Sequence, residues 1–141
     1  MPDVTIKQLD EFEAIFGGGF KRVRAGLGVS SFGIAVLDFP ANFTDYPSHN
    51  QTHDHQEEVY TVLEGRVTLR VGGDEDGVDY ELEPGVWARV GPAETRKLIT
   101  GDEPARMVAL GGTPGEVYRA PEFTEDGAPD PAKAKWAAHS H

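Results

Sequence analysis

The sequence predicts an all-β, single-domain fold, a sandwich or barrel of antiparallel strands. Three observations carry that prediction. The 141 residues include 17 glycines and 10 prolines, more than a helical bundle tolerates. These residues cut the chain into short runs that are continuously apolar or alternate apolar with polar. The runs follow one another at the regular, turn-bounded spacing of a sandwich or barrel.

Taken in order, residues 7–16 (KQLDEFEAIF) place Leu9, Phe12, Ile15 and Phe16 at helical spacing, and the GGG at 17–19 stops the run. A short amphipathic N-terminal helix is expected there. FKRVRAGLG (20–28) and SFGIAVLDFP (31–40) read as strands, the second apolar enough to be buried on both faces. ANFTDYPSHNQT (41–52) is a loop by its Asn, Asp, Pro and Ser content. EVYTVLEG and RVTLRVGG read as two strands joined by a tight hairpin at Glu64–Gly65. In the second, Val67, Leu69 and Val71 alternate with Arg66, Thr68 and Arg70, giving one buried and one wet face. GDEDG (73–77) is an acidic turn, lacking the further ligands of a calcium loop. VDYELE and VWARVG flank Pro84–Gly85, and TRKLIT and ARMVALGG complete about nine strands. The core barrel is expected over about 20–112. From Thr113 the composition shifts to Pro, Glu, Asp and Ala, an arm over the surface with one helical turn around AKAKWAA. No internal repeat or second domain is visible, so 1–141 is read as one domain.

Composition narrows the function. There is no cysteine, which excludes disulfides, zinc–thiolate sites and thiol catalysis. The net charge of −11 disfavours nucleic acid and anionic membranes, whose phosphates call for Lys and Arg. The N-terminus lacks a basic region followed by an apolar run, and no segment reaches membrane-spanning length, so a cytoplasmic protein is expected.

The stretch HDHQEEVYTVLEG carries the candidate chemistry. Residues two apart on a strand point the same way. On a strand, His53 and His55 would present both imidazoles to one point, and a carboxylate opening the next strand would complete one face of an octahedron. Two histidines and a carboxylate suit Fe(II) and also accept Mn, Ni or Zn. The stretch resembles motif one of the cupin family, with His53, His55, Glu58 and, six residues further, Gly65. EPGVWARVGPAETRKL, with Pro84, Gly85 and the Gly91–Pro92 turn, resembles motif two. The resemblance covers about residues 30–112. It implies a cupin-type jelly-roll barrel of two antiparallel sheets, and it implies a homodimer through the outer sheets.

Two departures bear on the site. Glu57 rivals Glu58 as the carboxylate: the distance to Gly65 favours Glu58, whereas strand phase puts Glu57 level with the histidines. The place of the third family histidine falls on Arg96. Arginine has no lone pair to give a metal, and a guanidinium about 5 Å from a divalent ion repels it by about 6 kcal/mol at an effective dielectric near 20. His49 is a candidate replacement ligand. Alternatively Arg96 pairs with Glu58 in a metal-free barrel, or clamps a substrate carboxylate or phosphate. Tyr60 shares a strand face with Glu58, as a cavity-lining residue or a core aromatic. Trp87 and Arg89 read as an outer-face pair. His139 and His141 form a second His-x-His in a polar tail, expected to be solvated.

Three functions are therefore open. One is a metal-dependent enzyme acting on a small, anionic organic molecule through His53, His55 and Glu58, dioxygenase- or isomerase-like. The second is a metal-free acid–base enzyme with His53 or His55 as base. The third is a non-catalytic, metal-free small-ligand-binding barrel with Arg96 paired to Glu58.

Overall fold

A computed structural model describes residues 2–73 and 75–132 of the chain. Its nine described strands form two antiparallel sheets. They are β1 (Ala14–Ile15), β2 (Phe20–Lys21), β3 (Gly33–Phe39), β4 (Glu57–Glu64), β5 (Val67–Val71), β6 (Val78–Leu82), β7 (Trp87–Val90), β8 (Arg96–Ile99) and β9 (Ala105–Gly112). The larger sheet runs β1-β2-β3-β9-β4-β7 and the smaller β6-β5-β8. The core lies between them: Leu37, Phe39, Val62, Met107 and Val90 from one meet Val67, Leu69, Leu82 and Leu98 from the other. The all-β double-sheet fold predicted from the turn spacing is what forms, in the jelly-roll arrangement that the resemblance implied.

The N-terminal third departs from expectation. No helix forms over 7–16. Short 3-10 turns at Leu9–Glu11 and Phe16–Gly18 flank β1 instead, and Ile15 pairs with Phe20. Ten residues are too few for a helix to hold without a partner face, and pairing with β2 buries Ile15. The α-helix of this region is α1 (Val23–Leu27), inside the run 20–28 read as a strand. Gly28, at φ 78°, takes the left-handed position that ends it, and its N–H donates to Ala25 and Arg24.

The expected hairpin at Gly65 is a crossover. β4 pairs with β7 and β9, while β5 pairs with β6 and β8, so the chain changes sheet at Gly65. It changes back between β6 and β7, at Gly85. Both glycines have positive φ. At Gly65 a Cβ would run into the Pro104 carbonyl oxygen, so only glycine makes that corner without strain.

The arm is not a loose cover. Arg22, buried against it, donates from Nε to Phe123 O at 2.9 Å, from Nη2 to Ala128 O at 2.9 Å, and from Nη1 to Glu13. Glu13 also accepts the Gly127 N–H at 2.9 Å, and the Phe123 ring packs edge-on to Phe16 and Phe20. The helical turn expected around AKAKWAA falls almost wholly outside the described residues, as do His139, His141 and Asp74.

Candidate functional site

β4 sorts the two rival carboxylates. Its register puts Glu58 opposite Gly111 and Val90, on the row of Tyr60 and Val62, which are buried. Glu57 is on the other row and pairs with Arg89 at 2.7 Å on the outer face. Trp87 shares that outer face and is largely exposed. On β8, Arg96 and Leu98 are buried, as is Thr100 just past its end. The Arg96 guanidinium is therefore inside the barrel.

There it meets Glu58. Arg96 Nη1 donates to Glu58 Oε1 at 3.1 Å, and Nη2 donates to Gly91 O at 2.8 Å. The Tyr60 hydroxyl donates to the same Glu58 oxygen at 2.9 Å. His49 Nε2 stands 3.9 Å from it, while His49 Nδ1 lies 3.1 Å from Pro47 O. The Arg96 side chain is fully enclosed, and Glu58 keeps 18% exposure. The accessible polar groups of the cluster are thus Glu58 and His49, and the guanidinium has no face open to an incoming anion. Arg96 Nε is buried without a partner among the described residues, an uncommon state for a charged group in a native interior.

The electrostatics follow from the packing. Burial pushes the Tyr60 phenol well up, with Tyr46 and Glu58 adding to it. Burial also pushes Tyr46 up. The Glu58 carboxylate raises His49 above the ordinary imidazole range, against the opposing pull of burial.

Residues 40–51 lie across this cluster. Arg96 and His49 exchange backbone hydrogen bonds of 2.8 and 3.1 Å, Thr100 N–H donates to Phe43 O at 3.1 Å, and Gln51 N–H donates to Pro92 O at 2.9 Å. The loop so extends the small sheet beyond β8. Its aromatic residues continue the core: Phe43 stacks on Phe39 with centroids 5.1 Å apart, and Tyr46 packs against Phe39 and His49.

His53 and His55 are placed elsewhere. β4 begins at Glu57, and residues 52–55 form a turn. Asp54, between the two histidines, organises it. Its carboxylate accepts the Gln56 N–H and the Gln51 side-chain amide, each at 3.1 Å, and its carbonyl accepts the Thr113 hydroxyl at 2.9 Å. His55 adopts φ 57° and is exposed. The His53 side chain is 71% exposed and lies 3.4 Å from Asp54. The two-residue alternation that would align their rings requires extended backbone, and here there is none. The fold gathers Glu58, Arg96, Tyr60 and His49 and leaves His53, His55 and Glu57 outside.

This geometry also tests the divalent ion that the motif implies. Among the described residues no three His, Asp or Glu side chains are placed to share a metal ion. The enclosed position next to Glu58 holds a cation without lone pairs. The donors, as arranged, do not fit a metal.

A small antiparallel double-sheet barrel with a buried ion pair at one end defines a class, and the comparisons assign its family. The chain belongs to the cupin family: the cupin-domain model matches residues 36–111. No curated protein matches the sequence. Among solved structures, a cupin protein from Bacteroides fragilis superposes with TM-score 0.65 at 18% identity, covering 92% of this chain and 98% of that one. A sugar phosphate isomerase of the cupin superfamily from Silicibacter pomeroyi gives 0.59 at 19% identity, covering 77% and 75%. Hydroxypropylphosphonic acid epoxidase from S. wedmorenis gives 0.58 at 19% identity, covering 76% and 58%. At these identities the likeness concerns the fold, which hosts many chemistries.

Proposed function

We propose that this cupin binds a small organic molecule at the Glu58 end of its barrel, without a resident metal ion. The observation that carries the reading is the enclosed Arg96–Glu58 pair, with Arg96 Nη1 3.1 Å from Glu58 Oε1. It fixes a largely buried carboxylate that keeps one edge open to the surface, beside an imidazole and two phenols. A ligand meets Glu58 as an acceptor, so a hydroxyl- or amino-bearing compound suits the site better than the anion expected from Arg96 as a clamp. We further propose a cytoplasmic homodimer. The outward row of the larger sheet supports the pairing with the apolar Trp87, Val59 and Leu110, beside a groove that also includes Phe32. No described helix is long and apolar enough to cross a membrane.

The test is a thermal-shift screen of untagged protein with chelator present, using neutral polyols, amino compounds, carboxylates and phosphates. One hydroxyl- or amino-bearing class should raise Tm, Glu58→Gln should abolish the shift, and His53→Ala should leave it intact. A stoichiometric metal that survives purification and is lost in His53→Ala would overturn the proposal. Light scattering checks the dimer, and a monomer at high concentration would refute it.

A further inference from the structure

The donors that converge in this fold are not the pair in the His-x-His stretch. His49 and Arg96 are partners in an isolated antiparallel bridge. From that rung both side chains reach Glu58 Oε1, His49 Nε2 to 3.9 Å and Arg96 Nη1 to 3.1 Å. Two imidazoles on such a rung, with the carboxylate facing them, would be a three-donor metal set. One of the two positions instead carries a guanidinium. It is fully enclosed, holds Glu58 and the Gly91 carbonyl, and keeps Nε unpartnered.

We propose that Arg96 is a built-in cation that takes the place of a metal ion at the His49–Glu58 cluster and keeps divalent ions out of it. The guanidinium supplies the positive charge that Glu58 faces. Being tethered, it needs neither supply nor retention of an ion. It also blocks ions twice, by occupying the Glu58 oxygen that an ion would need, at 3.1 Å, and by like-charge repulsion. This goes beyond the ligand-binding proposal: metal uptake and ligand binding are read separately, so either can fail alone.

The experiment uses full-length protein with His139 and His141 replaced by alanine, which keeps the tail from binding metal. Zn²⁺ and Ni²⁺ are titrated calorimetrically, and retained metal is measured by elemental analysis. The Arg96→His variant should bind zinc at least about tenfold more tightly than the parent, as a neutral imidazole joins His49 and the Glu58 carboxylate as third donor. Adding His49→Ala should remove that gain. Equal affinity in parent and variant, or a gain that His49→Ala leaves unchanged, overturns the proposal. So does a parent that retains zinc through His49. If Arg96→His does not fold, the parent is decisive by itself. Its ¹H–¹⁵N spectrum should contain slowly exchanging Arg96 guanidinium signals that shift in Glu58→Gln and ignore added zinc. Signals averaged by fast rotation, or displaced by zinc, would overturn it.

Discussion

Two arginines lie fully inside this protein, and they are held differently. All three nitrogens of the Arg22 guanidinium end on acceptors, two of them backbone carbonyls of the C-terminal arm. Arg96 ends on one carboxylate and one carbonyl, and its Nε has no hydrogen-bond partner among the described residues. A buried charge is tolerated when its donors are met, and an unmet one is costly. Arg22 therefore acts as a bolt: it ties the chain end to its beginning, residues 13, 22, 123 and 128 in one knot. Arg96 is incompletely held and touches the part of the molecule where a carboxylate and an imidazole reach the surface. The two differ in both respects: Arg22 is fully bonded and ties chain segments together, and Arg96 is incompletely bonded and faces Glu58.

Substitutions can break that contrast. The largest effect is expected from Arg22→Met, which strands Glu13 and two carbonyls, at about 3–5 kcal/mol in urea denaturation. Arg22→Lys should not rescue it, because an ammonium cannot span three acceptors set around a planar fork. Arg96→Met should cost less, about 1–3 kcal/mol, because water can reach the partly open Glu58 and the unpartnered Nε disappears. Adding Glu58→Gln should recover part of that loss in a double-mutant cycle. If Arg96→Met proves more damaging than Arg22→Met, the comparison is wrong. Phe123→Ala should cost about 1–2 kcal/mol, since its ring is only partly enclosed between Phe16 and Phe20.

The smallest effect is a pH dependence. Glu58 raises the His49 pKa in the fold, so protonation favours the folded state. The stabilisation is complete below the unfolded-state pKa and is lost as pH rises through the raised folded value. Urea midpoints measured from about pH 5 to pH 8 should fall more steeply in the parent than in His49→Gln. Parallel curves would show that His49 is not coupled to Glu58.

Much of the architecture was legible because strand periodicity and glycine corners are local signals. β3 and β5 to β9 fall within the runs that predicted them, and β4 starts one residue before its run. What was not legible depends on partners distant in sequence. Ile15 has helical spacing with Phe12, yet pairing with Phe20 decides its conformation. Gly65 reads as a hairpin glycine because sequence cannot tell a return from a crossover. At the site, the strand phase of His53 and His55 assumed extended backbone through residue 54. The Asp between them was the available signal: aspartate favours a side-chain-to-backbone turn over a strand, and here it makes one with Gln56. Nothing in the sequence marked Tyr46, which enters the cluster only because residues 40–51 fold back along β8.

That fold-back bears on rates as well as shape. The strip is fastened to β8 at His49, to Thr100 just past it at Phe43 and to Pro92 at Gln51, and is wedged by stacked rings, so a visitor would reach the enclosed Tyr60 once the strip peels away. Contact with Tyr60, beyond the open edge of Glu58, would then be timed by the door: the rate of that step would rise with concentration and level off at the peeling frequency. Trimming the Phe43 ring would lift that plateau.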